Sequence, residues 1–91
     1  MIVGKVVGNV WATRKEESLN GLKMMIVQRI DPFSKENQES FVAVDDVGAG
    51  IGELVLVTTG SSARKAAHVA NSPVDATIVG IIDQMEVPEE R

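Results

Sequence analysis

The feature that most constrains this chain is the identity of its apolar residues. It carries 14 Val and 7 Ile against only 4 Leu. β-branched side chains lose rotamer freedom in a helix and pack well on a pleated surface. They are gathered into five short runs, at 2–12, 22–30, 40–45, 53–59 and 76–83, with turn residues between them. Asn20-Gly21, Asp31-Pro32, the segment 46–52 and Asn71-Ser72-Pro73 punctuate the runs. One segment, 63–70, has the alanine content of a helix, about two turns long, with Ser61 or Ser62 placed to cap it.

Five strands and one short helix in 91 residues make one domain. No connection is long enough to be a helical crossover between parallel strands, so a mainly antiparallel sheet is expected. Gly4 and Gly8 fall inside the first run and Gly80 inside the last. Strand glycines mark bulges or sharp bends, which a small curled barrel needs. The spacing of Gly4 and Gly8 places both on one face of a regular strand. In the third run Phe41, Ala43 and Asp45 share a face, and Val42 and Val44 the other. The pattern predicts a mainly β fold: a five-stranded OB-like small β-barrel over residues 1–84, with a loosely held tail at 85–91. A domain this small buries only about 60–65% of the surface its unfolded chain exposes, so assembly with further copies would add stability.

Composition narrows function mainly by exclusion. The net charge is −4 and the pI about 4.8. Phosphate backbones call for clustered Lys and Arg, and a base-stacking platform calls for more than Trp11, Phe33 and Phe41. A nucleic-acid-binding OB module is therefore the second reading rather than the first. The absence of Cys removes disulfides, Cys-ligated metal and a thiol nucleophile. No apolar run approaches 18 residues, and the N-terminal residues do not read as a signal peptide, so neither a membrane partner nor export is expected.

The motifs that invite chemistry do not complete it. Gly48-Ala49-Gly50-Ile51-Gly52 is followed by Glu53 and a strand, where a dinucleotide-binding loop needs a sixth-position glycine and a helix. Three glycines there mean a tight loop or close approach of backbone to something, such as a neighbouring subunit at a symmetry axis. Gly60-Ser61-Ser62-Ala63-Arg64 could form an anion nest. The simpler reading is a capped helix with Arg64 paired to a carboxylate, within or between subunits. Asp45 and Asp46 point to opposite faces of a strand, and Asp75 and Asp83 could join them only through the fold. His68 stands alone near the end of the helix. No catalytic, cofactor-binding or metal-binding set is expected, and the chain does not read as an enzyme.

Four segments together carry a resemblance to a known family. The first is Gly4-Lys5-Val6-Val7-Gly8-Asn9-Val10-Trp11-Ala12-Thr13. The second is Leu19-Asn20-Gly21-Leu22-Lys23 with the strand to Gln28. The third is Val44 through Glu53, running on through Val55 to Gly60-Ser61-Ser62-Ala63-Arg64, and the fourth is Pro73-Val74-Asp75-Ala76 followed by Ile78 to Asp83. With them the chain resembles the pentameric vertex proteins of bacterial microcompartment shells, the EutN/CcmL family, along residues 1–84. The resemblance implies a barrel assembled as a ring of five. It also implies a place at the vertices of a cytoplasmic polyhedral shell whose facets are hexameric proteins, and a role that is geometric rather than chemical. Such a ring would have Gly48, Ala49, Gly50, Ile51 and Gly52 near its axis, with Glu53, Arg64, Asp45 and Asp83 available between subunits. Carboxysomes and the ethanolamine, propanediol and glycyl-radical compartments share this pattern, so the enclosed cargo is left open, as is pentamer against hexamer in solution.

Overall fold

The computed structural model describes residues 1–13, 15–31, 33, 38–69 and 71–88. Pro32, the helix position Ala70 and the last three residues of the tail lie outside the described residues. Five strands form a closed barrel: β1 (Ile2–Val10), β2 (Met24–Arg29), β3 (Ser40–Asp45), β4 (Leu54–Thr59) and β5 (Ala76–Ile81). A 3-10 turn, Glu17–Leu19, precedes β2, and the helix α1 (Ser61–Ala66) joins β4 to β5. The strand order around the barrel is β1-β2-β3-β5-β4. All neighbours are antiparallel except β3 and β5, which run parallel and pair only at Val44↔Thr77 and Asp45↔Ile78. The connection between them holds β4 and α1, so a parallel pair forms without a helical crossover.

β1, β2, β4 and β5 are shorter than their apolar runs, because the run ends belong to turns, whereas β3 spans its run in full. The helix is shorter still and starts earlier. Its N-cap is Gly60, with no side-chain cap, so neither Ser61 nor Ser62 takes that role. It ends when Val69 N–H donates to Arg64 O (3.0 Å) and His68 N–H to Lys65 O (3.1 Å). That double bond pattern places His68 at the left-handed position, φ 59°, where glycine is usual.

Alternation sends Val6, Met25, Val27, Ala43, Val55, Val57, Ala76 and Ile78 into the barrel, all essentially buried. Burying a Val or Ile side chain contributes about 1.5–3 kcal/mol, so this β-branched interior is the main stabilising term. A second cluster lies outside the wall, where Val44, Ala63, Ala67 and Val74 pack under α1. Thr77, fully buried, donates its Oγ1 hydroxyl to Ala63 O at 2.8 Å and ties helix to wall.

The two early glycines do not share a face. The β1–β2 register shifts between Val6 and Gly8, a bulge at Val7. One extra residue reverses the alternation beyond it. Gly4 therefore faces the core, where an added Cβ would run into Val27 Cγ1 and approach Gln28 O at 3.0 Å. Gly8 pairs with the outward-facing Ile26. β5 repeats the device: its register shifts opposite Leu56/Val57, and Gly80 follows on the outer face beside Leu56. These bulges bend the two strands so that five can close.

Candidate functional site: the glycine loop at the barrel end

The segment 46–53 closes one end of the barrel, and two carboxylates shape it. Asp45 faces inward from the end of β3, its side chain 2% exposed. Its Oδ1 accepts from the N–H groups of Val47 (3.0 Å) and Gly48 (3.1 Å), and its Oδ2 from Ala49 N–H (2.9 Å). Lys23 Nζ stands 3.9 Å away and is mostly exposed, so it adds little. Glu53 Oε1 accepts from Gly50 N–H at 2.6 Å. Gly48 and Gly52 take φ of 83° and 95°, which side chains rarely adopt. The loop is also laced to β1: Gly52 N–H donates to Val6 O (2.8 Å) and Val6 N–H to Glu53 O (3.0 Å). The result is a pinned turn that drops Ala49 into the core and lifts Ile51, 62% exposed, at its tip.

This arrangement has the character of a shaped contact surface. The amides that could have cradled a phosphate are held by the loop's own carboxylates. At α1, Gly60 N–H donates to Asp75 O (3.0 Å) and Ala63 N–H to Gly60 O (3.0 Å), so those amides are also satisfied internally. Among the described residues no group of three His, Asp or Glu side chains is placed to hold a metal, and no helix is long and apolar enough to cross a membrane.

The residues singled out from the sequence fall into separate places. Gly48 to Gly52 and Glu53 form one unit. Asp45 joins it from beneath, with its carboxylate accepting from three amides of the loop. Asp46 is exposed and does not join Asp45. Arg64, half-buried, donates from Nη1 to Val74 O at 3.2 Å; among the described residues its partner is this carbonyl instead of a carboxylate. Asp83 is exposed beyond β5, and Asp75 and His68 are exposed near α1. Sequence reasoning missed that Asp45 organises the loop. The signal was present, an Asp followed within four residues by a glycine, since Asp side chains bind the amides of the turns they begin.

Comparison with known proteins gives a consistent picture. The family model described as ethanolamine utilisation protein EutN/carboxysome matches residues 1–83. The bacterial microcompartment shell vertex protein GrpN of Rhodospirillum rubrum is 45% identical over 86 residues, covering 94% of this chain and 97% of that protein. The carboxysome shell vertex protein CcmL of Synechococcus elongatus is 45% identical over 87 residues, covering 96% and 88%. Among solved structures, the GrpN pentameric microcompartment shell protein from Rhodospirillum rubrum superposes with a TM-score of 0.84 at 44% identity, covering 97% of this chain and all of that one. With a match that runs from the first strand past the last, the chain belongs to the EutN/CcmL family.

Proposed function

We propose that this chain is a structural vertex protein of a bacterial microcompartment shell, assembled as a homopentamer. The observation that carries the reading is the full-length match in sequence and fold to shell vertex proteins, one of them solved as a pentameric shell protein. A flat sheet of six-fold units cannot close on itself. Five-fold units inserted at the corners supply curvature, and the work is done by shape. The asymmetric surface of the barrel suits this, because head-to-tail contacts close into a ring when the rotation per subunit divides the circle.

In this reading the loop 48–52 approaches the ring axis, where Ile51 is presented, and Glu53, Arg64 and Asp83 stand near subunit contacts. Asp45 acts one step back, holding the loop in shape. The flanking partners are hexameric shell proteins, the setting is the cytoplasm, and no reaction is catalysed. The test is co-expression with hexameric shell proteins of one compartment, with and without this chain. The reading expects closed polyhedral particles only when the chain is present, with the chain recovered in them. Open sheets or tubes in both cases would refute it.

A further inference from the structure

We infer that the open edge of β3, at Ser40 and Val42, is a docking site for an extended, positively charged segment of a partner protein. The barrel closes at its β3–β5 seam through only two residue pairs, Val44↔Thr77 and Asp45↔Ile78. On its other side β3 is bonded to β2. Glu39 O accepts from Arg29 N–H (3.1 Å), and Asp45 N–H donates to Lys23 O (2.9 Å). Bonding residues alternate along an antiparallel pair, so Phe41 and Ala43 also turn their N–H and C=O groups toward β2. Ser40, Val42 and Val44 turn theirs the opposite way. Val44 meets β5 there, whereas Ser40 and Val42 have no strand beside them among the described residues. Their backbone groups form an unpaired edge, which is the template for an added strand.

Nothing on the edge shields it. Edge strands are usually blunted by Lys, Pro or a bulge. Ser40-Phe41-Val42-Ala43 has none of these, and its register against β2 is unbroken. Val42 is 46% exposed in mid-strand. A trough follows the edge, with Phe41 and Val42 on one side and Asp75 and Ala76 on the other. It continues toward Val44 over Met24 and Val74. The partner's charge follows from the rim. Toward Val44 the charged lining residue is Asp75. Toward Phe41 it is joined by Glu39, with Arg29 as the one cation, and both carboxylates are exposed. Opposite charges on paired strands stabilise them and like charges oppose them, so this excess of carboxylate selects Lys or Arg on the added strand. The same argument excludes the chain's own tail. Gln84 to Pro88 lies outside the strands, but Glu86 and the following Glu89 and Glu90 would bring like charge to Asp75 and Glu39. The occupant is therefore a partner of opposite charge, and a chain with a net charge of −4 draws such a partner in.

The test uses the wild-type chain in its native assembly state. The probe is a fluorescein-labelled synthetic peptide of alternating valine and lysine, read by fluorescence anisotropy. It should bind saturably, and about tenfold more tightly than a valine–glutamate counterpart. The same basic peptide N-methylated on alternate backbone nitrogens cannot complete the ladder, and should bind about tenfold more weakly than its parent. Val42→Pro removes the outward N–H at an edge position, where proline is tolerated. It should weaken the parent peptide by a similar factor while the circular dichroism of the barrel is retained. If that variant unfolds, Asp75→Asn decides at an exposed site: it should narrow the gap between the lysine and glutamate peptides several-fold. An N-methylated peptide that binds as well as its parent would overturn the inference, because charge alone would then hold it. No saturable binding by the wild-type chain at millimolar peptide would overturn it as well. If Val42→Pro then also broke up the chain's own assembly, the edge would belong to a second copy.

Discussion

Removing the carboxylate of Asp45 should loosen the glycine loop while leaving the barrel folded. Three amides bond to it, at 2.9 to 3.1 Å, from a side chain 2% exposed. Hydrogen bonds to a charged group are worth about 1.5–3 kcal/mol each. The three do not add fully, because Val47 and Gly48 are exposed and water can replace the lost acceptor there, whereas Ala49 is buried. Asp45→Ala should therefore cost about 2–4 kcal/mol, most of it from the orphaned Ala49 amide. Asp45→Asn keeps one oxygen as an acceptor but sets a donor against the remaining amide or amides, and should cost about 1–2 kcal/mol. Against a domain stability of about 5–15 kcal/mol, both variants should fold. The assay is urea unfolding at one fixed protein concentration, since assembly makes the midpoint concentration-dependent. Hydrogen exchange at Ala49 gives the local reading. Both variants within about 0.5 kcal/mol of the parent, with Ala49 protection unchanged, would refute the claim that this carboxylate builds the loop.

Three further outcomes follow from the geometry. Gly4→Ala should destabilise by about 1–3 kcal/mol in urea unfolding, because its Cβ would run into Val27 Cγ1 in a filled core. His68→Gly should stabilise by up to about 1 kcal/mol by thermal unfolding, since it relieves a side chain held at φ 59° in the helix-ending turn. Arg64→Glu should weaken ring assembly in light scattering with the circular dichroism of the fold retained; an unchanged ring would remove Arg64 from the subunit contact.

Strand composition and turn residues made the barrel legible, and they made the parallel β3–β5 pair invisible. Nothing local distinguishes Val44-Asp45 beside β5 from the same residues beside any other strand, because pairing partners are decided by barrel closure. The two glycines of β1 show a related limit. Period-two counting puts Gly4 and Gly8 together, and a single bulged residue at Val7 separates them. Helix α1 starts earlier and ends sooner than its alanine content suggests: alanines favour helix through residue 70, yet the left-handed turn at His68 ends it. At the candidate site the glycine spacing announced a special loop, but the inward turn of Asp45 depends on which face of β3 the barrel encloses. The sequence does not reveal that Asp45 and Glu53 each accept from an amide of their own loop, because that depends on how the turn folds back on itself.

The central claim is that this chain acts as a ring of five. Native mass spectrometry of the purified chain tests it most directly. The account predicts a dominant species near 49 kDa, five times the 9.8 kDa chain. A six-copy species would keep the shell family and contradict the vertex geometry. A chain that stays at 9.8 kDa up to high concentration, and does not join hexameric shell proteins when mixed with them, would contradict the account altogether.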